Sequence, residues 1–189
     1  MSVLSRQSVL APKLPIESEK KSYWSRLYGS AKSLIIANTS SQMKNPVVVI
    51  TKDVLSAVNL ANELQQFVKN TEETPIKFFP DWETLPYDIY SPYQDILSER
   101  LKTLYELTNL SSGIVVVPIT TLMHRLLPID HLLKNAFSLD LGQKINLDDF
   151  RKRLIRQGYN FVSHVTEHGE VCIRGSLIDI YPMLSLIHI

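Results

Sequence analysis

The chain has 189 residues, 44% of them hydrophobic, 21% charged and 8% aromatic, a globular composition that excludes a wholly disordered or collagen-like polymer and leaves room for one large domain or two small ones. Twenty Lys and Arg against nineteen Asp and Glu give a net charge of +1, and no run of about 18 apolar residues is present to span a bilayer. A soluble, cytoplasmic protein with no membrane partner is expected.

The first 21 residues (MSVLSRQSVLAPKLPIESEKK) lack the continuous apolar core of a secretory signal, carry Pro12 and Pro15 and have no period, so they read as a mobile arm. Residues 33–38 (SLIIAN) and 46–51 (PVVVIT) are short apolar runs bounded by polar residues, the pattern of strands covered on both faces of a parallel sheet. Between 53 and 70 the apolar positions 54, 57, 58, 61, 64, 67 and 68 follow one helical face, with Asp53 placed to cap it. A third strand is expected at 76–79. The irregular segment PDWETLPYDIY leads to Ser91, Pro92 and Gln94, which form a capping box for a helix to about residue 107 with Ile96, Leu97, Leu101, Leu104 and Tyr105 inward. Residues 114–118 (IVVVP) read as another buried strand and 120–127 as a short helix.

Beyond residue 130 the pattern changes. Alternation at Phe137, Leu139 and Leu141 suggests a half-exposed strand. Residues 146–157 form a basic amphipathic helix on Leu147, Phe150, Leu154 and Ile155, closed by Gly158. Two strand-like runs, 159–166 and 171–181, flank Glu167-His168-Gly169-Glu170, whose glycine suits a hairpin turn. The expected fold class is α/β: a parallel-sheet domain followed by a small α+β unit. Charge is segregated along this order: residues 1–45 carry +5, 46–110 carry −5 and 111–189 carry +1. The first sizeable folded segment is therefore acidic, which disfavours direct DNA binding by the chain.

Three groups of residues bear on chemistry. Arg26-Leu27-Tyr28-Gly29-Ser30-Ala31-Lys32-Ser33 keeps the Lys-Ser pair of a phosphate-binding P-loop, but Arg26 and Ala31 stand where that loop needs glycines. A Cβ at Ala31 obstructs the backbone N–H cradle, and no strand ends in a metal-holding carboxylate. Gly29, Lys32 and Ser33 are accordingly expected to be an inactive remnant, and an active P-loop ATPase or helicase domain is the rival reading. The acidic residues Asp81, Glu83, Asp88, Asp95 and Glu99 interleave with Trp82, Tyr87, Tyr90 and Tyr93. Paired carboxylates can serve a glycosidase, but Trp82, Leu85 and Pro86 read better as a loop anchor and Asp95 as a first-turn helix acid. Arg174-Gly175 lies inside a strand-like run, where an arginine beside a bulge can present a planar hook to a partner's carboxylate. A surface salt bridge to Glu170 or Asp179 is an equal alternative. The single cysteine, Cys172, reads as an inert mid-strand thiol and His168 as a solvent-facing turn residue. The five histidines include no pair at metal-ligand spacing. No cofactor or metal is expected, and no catalytic residue.

The string Phe79-Pro80-Asp81-Trp82-Glu83-Thr84-Leu85-Pro86-Tyr87-Asp88, followed by Ser91-Pro92 and Gln94-Asp95-Ile96-Leu97-Ser98-Glu99-Arg100-Leu101, resembles the N-terminal region of bacterial transcription-repair coupling factors. So do Val116-Val117-Pro118 with Thr121-Leu122-Met123, Glu167-His168-Gly169-Glu170, and Arg174-Gly175 with Asp179-Ile180-Tyr181-Pro182. The resemblance covers roughly residues 24–183 in the family's order. It implies a module similar to the excision-repair protein UvrB: a degenerate RecA-like α/β domain that has lost its ATPase, then a small α+β domain that recruits UvrA, with the family's partner-binding arginine falling on Arg174. The intact Gly-Lys-Thr loop and the tyrosine-rich hairpin of UvrB are absent from this sequence.

The domain organisation expected is an arm at 1–21, the RecA-like domain at 22–133, a partial UvrA-binding domain at 134–183 and a tail at 184–189 outside the family pattern, which reads as frameshifted or non-native sequence. The full family protein continues into an RNA-polymerase-binding domain and an ATP-driven DNA translocase. RNA polymerase and DNA are therefore expected partners only of domains outside these residues. With its last strands missing, the second domain is expected to expose a sheet edge and to promote association.

Overall fold

The structure is a computed structural model, and it describes residues 8–12, 14, 21, 23–85, 88–135 and 142–182. In chain order the elements are α1 (Ala31–Gln42), β1 (Val47–Thr51), α2 (Val54–Phe67), β2 (Ile76–Phe78), α3 (Gln94–Thr108), β3 (Ile114–Pro118), α4 (Ile119–Met123), α5 (Ile129–Asn135), α6 (Leu147–Arg156), β4 (Asn160–Phe161), β5 (Glu170–Arg174) and β6 (Leu177–Tyr181). They fall into two compact units, one of residues 1–81 with 109–124 and one of residues 82–108 with 125–189. The class is α/β, as the sequence pattern implies.

The first unit holds a three-stranded parallel sheet in the order β1-β3-β2. Val47 pairs with Ile114 and Thr51 with Pro118, while Ile76 and Phe78 pair with Ile114 and Val116. Residues on one face of these strands, Val49, Ile76, Phe78, Ile114 and Val116, pack on Ile35, Ile36, Ala57, Leu60, Ala61 and Leu64 of α1 and α2. Burying each large aliphatic side chain there contributes about 1.5–3 kcal/mol. Asp53 caps α2, its Oδ1 accepting the Ser56 amide hydrogen at 2.7 Å. Gly113 enters β3 at φ +127°, and a Cβ there would stand 2.5 Å from the Pro75 carbonyl oxygen. That carbonyl accepts the Ile114 amide, so only glycine allows the approach.

In the second unit, Asn146 caps α6 by accepting from the Asp148 and Asp149 amides, and Gly158 closes the helix at φ +82°. Phe150 and Leu154 of α6 pack on Val171, with Tyr159, Ile173, Ile178 and Ile180 around them. The sheet order is β4-β5-β6, with β4 parallel and β6 antiparallel to β5. Helices α3 and α5 border a shallow apolar recess of about 240 Å³ lined by Leu104, Leu107, Leu126, Leu127, Ile129 and Leu132.

Several expectations are corrected. Residues 33–38 are the middle of helix α1, not a strand. Three of the six residues buried in α1 are Ser33, Thr39 and Ser40, so a reading that follows apolar residues sees a short run and misses the helical face. Their hydroxyls are satisfied inside the fold: Ser33 donates to Glu63, Thr39 to the Ile35 carbonyl at 2.7 Å and Ser40 to the Gly113 carbonyl at 3.3 Å. Strand β1 is covered on one face only, since Val48 and Ile50 are more than half exposed. No capping box forms at Ser91: α3 starts at Gln94, and the Tyr93 carbonyl accepts its first bond, from Leu97. Ile96, Leu97, Leu101, Leu104 and Tyr105 of α3 are half-buried, and its fully buried residues are Ser98, Arg100 and Thr103, the Arg100 guanidinium stacking 4.2 Å over the Trp82 ring. The helix expected at 120–127 ends at Met123, and α5 follows unforeseen.

The run 159–166 is a strand only over Asn160–Phe161, and 171–181 is two strands, not one. The hairpin turn is Gly175-Ser176, with Arg174 paired to Leu177, rather than Glu167–Glu170. The Gly at the first central position, φ +61°, is what a type II′ turn demands. Arg174 therefore ends a strand at a tight turn and does not sit on a bulge. In the N-terminal stretch read as an arm, Val9 packs on the core and its carbonyl accepts from Asn38. The strand expected at Phe137, Leu139 and Leu141 and the tail at 184–189 lie outside the described residues.

Candidate functional site

The antiparallel register of β5 and β6 sorts side chains strictly. Val171, Ile173, Ile178 and Ile180 face α6. Glu170, Cys172, Arg174, Leu177, Asp179 and Tyr181 share the opposite face. On it, Arg174 Nη2 donates to Asp179 Oδ2 at 2.6 Å, with both side chains close to half exposed. The hydrogen bond to Asp179 raises the guanidinium's pKa above its usual value. Asp179, not Glu170, is thus the intramolecular partner of the two that the sequence offered. Leu177, 56% exposed, stands across the turn from Arg174. Together they present a planar cation, its counter-charge and one apolar side chain at the tip of the hairpin.

Glu170 anchors the segment leading into β5. Its Oε2 accepts from the Thr166 amide at 2.7 Å, the Glu167 amide at 2.9 Å and the Thr166 hydroxyl at 3.1 Å. Those bonds, the Thr166 amide's first, hold its carboxyl below the usual range. Cys172 is buried, with Sγ 3.3 Å from the Ser163 carbonyl oxygen. His168 is not solvent-facing: its side chain is 13% exposed, with Nε2 3.3 Å from Asp95 Oδ1, Nδ1 2.9 Å from the Pro182 carbonyl oxygen and its ring 4.1 Å from that of Tyr181. The Asp95–His168 pairing joins residues distant in sequence, and no local pattern announces it.

Ala31 is the first residue of α1, Lys32 is exposed, and Ser33 is fully buried with its hydroxyl given to Glu63. Gly29 and Arg26 both have positive φ, at 54° and 59°. Among the acidic residues, Asp81 accepts from the Thr120 hydroxyl, Asp95 lies in the first turn of α3, and Leu85 is 77% exposed rather than an anchor. Among the described residues no three His, Cys, Asp or Glu side chains come together to hold a metal ion, and no helix is long and apolar enough to cross a membrane.

Comparison with known proteins adds the class and then the particular resemblance. Residues 137–188 match the UvrB interaction domain, an interval that contains Arg174, Asp179 and the whole hairpin. Over 172 residues, 91% of this chain, the sequence is 38% identical to the transcription-repair-coupling factor of Escherichia coli. It is 39% identical over 176 residues to that of Haemophilus influenzae and 28% identical over 156 residues to that of Staphylococcus haemolyticus. The resemblance to transcription-repair-coupling factors thus runs through nearly the whole sequence. The chain spans about 15% of the length of the first two relatives and 13% of the third.

Proposed function

We propose that this chain is a non-catalytic docking module of a transcription-repair-coupling factor, which recruits the excision-repair protein UvrA to RNA polymerase stalled at DNA damage. Contacts with the polymerase and the ATP-driven movement on DNA belong, in this reading, to other parts of the longer factor. The observation that carries it is the position of the Arg174–Asp179 pair: about half exposed, on the outward face of the hairpin, and inside the interval that matches the UvrB interaction domain. An incoming carboxylate can take the guanidinium's remaining donors or displace Asp179, and a planar five-donor fork serves that exchange better than an ammonium does.

A pull-down and titration with purified UvrA tests the proposal. Arg174→Ala is expected to weaken binding by about thirtyfold or more, the usual result of stranding a charge at an interface, with lysine restoring little of it. Wild-type affinity in a folded Arg174→Ala protein assigns the pair to the surface alone and removes the proposal's contact residue. The non-catalytic half has its own test. Titration with a fluorescent ATP analogue to millimolar concentration is expected to give no saturable signal, and saturation abolished by Lys32→Ala overturns it.

A further inference from the structure

We infer that the outward face of α6 is a second, independent docking surface, which binds the phosphodiester backbone of DNA without reading its sequence. Residues 142–162 carry five cations, Lys144, Arg151, Lys152, Arg153 and Arg156, against two acids, Asp148 and Asp149. With Phe150 and Leu154 turned into the core, Lys152 and Arg156 stand one helical turn apart on the exposed crest, about 6 Å along the axis. Arg151 and Arg153 flank that crest, and all four are exposed. The Arg151 guanidinium lies 5.2 Å over the ring of Phe161 on the edge strand β4, which steadies it on one flank. The acids occupy the first turn, where they complement the helix dipole, and Arg153 and Arg156 the last. Lys152 lies 3.8 Å from Asp149 one turn back, both side chains largely exposed, and such a pair is easily given up.

Charge complementarity selects a polyanion, and the composition of the face selects which one. Protein interfaces bury aromatic or aliphatic anchors at their centre and are depleted of lysine. On the outer side of α6 the one large apolar side chain is Ile155. Four cations with so little apolar surface between them suit phosphates, whose binding is driven by release of counterions and needs no hydrophobic core. The segment sum of +1 over residues 111–189 conceals this, because it averages the crest of one helix with acids elsewhere.

Fluorescence anisotropy with a labelled mixed-sequence duplex and the full chain tests the inference. With about three phosphates neutralised, log affinity against log salt should be linear with a slope of about −2.7, a loss of about fortyfold between 50 and 200 mM. Lys152→Gln with Arg156→Gln, chosen to keep helix propensity, should lower low-salt affinity at least about tenfold and flatten the slope. Asp148→Asn with Asp149→Asn should raise affinity severalfold. UvrA binding should be untouched by either pair, so failure here and failure of the docking proposal are separable. A slope near zero, duplex binding unchanged in the folded glutamine variant, or a polyglutamate peptide bound as tightly as the duplex overturns the inference, the last by assigning the face to an acidic protein.

Discussion

Every residue of β3 is buried, whereas the β5–β6 hairpin buries Val171 and half-buries Ile173, Ile178 and Ile180 on one side and leaves Arg174, Leu177 and Asp179 on the other. The same contrast holds for polar groups. In the first unit the hydroxyls of Ser33, Thr39 and Ser40 are each consumed by a neighbour within the unit. On the hairpin a guanidinium is held by a carboxylate that is itself half open to water. A motif residue whose polar atom already has an internal partner is part of the scaffold. A charged residue paired at the surface can exchange its partner for another molecule's group at small cost. Ser33 is of the first kind and Arg174 of the second.

Mutations can break this contrast, and the largest effects belong in the cores. Leu64→Ala in α2 and Leu154→Ala in α6, both fully buried, should each cost about 2–5 kcal/mol in denaturant unfolding. Ser33→Ala should cost about 1–3 kcal/mol because the Glu63 carboxylate loses its donor; a neutral result would show that this serine is not scaffold. Asp53→Ala should lower the stability of α2 measurably by circular dichroism, and Asp53→Asn should recover it, since asparagine also caps. Arg174→Ala should hardly alter the unfolding midpoint even where it abolishes docking. A large stability loss would place Arg174 with the scaffold residues.

The smallest effect is a pH dependence. Glu170 and Asp53 both have carboxyls held below their usual range in the folded chain, Glu170 by the Thr166 and Glu167 amides and Asp53 chiefly by its bond from Ser56. A folded-state value below the unfolded one means stabilisation that is complete above the unfolded value of about 4 and lost as pH falls through the folded one. Unfolding midpoints should therefore drop as pH is lowered below about 5. Glu170→Gln should flatten that drop while leaving the neutral-pH hairpin assembled.

Much of this arrangement is legible in the sequence, and the failures share a cause. The α2 helix with its Asp53 cap and the basic amphipathic α6 announce themselves through periodicity and capping chemistry, because solvent and core alternate at regular intervals along them, and the parallel layer does so through the unbroken apolar run of its central strand. Helix α1 does not, since hydroxyls fill half its buried face. The 171–181 run hides a hairpin because its turn needs only Gly175 and Ser176, with no break in apolar alternation on either side. Arg174 is conspicuous in sequence, but whether Glu170 or Asp179 meets it depends on register, and register is set by the position of that turn. The acid beside His168 comes from a helix far upstream, and only folding brings them together.

The single thiol of the chain offers a clock for the hairpin. Cys172 is buried beneath the segment that carries Ser163, whose carbonyl oxygen lies 3.3 Å from Sγ, so a thiol reagent can reach it only after that segment lifts away. At low reagent concentration reclosing outpaces modification, and the rate divided by that of an unhindered thiol gives the opening equilibrium. Read on free chain and again with UvrA present, with no label or mutation introduced beforehand, the same atom would register whether occupancy of the neighbouring Arg174 face quiets this local breathing.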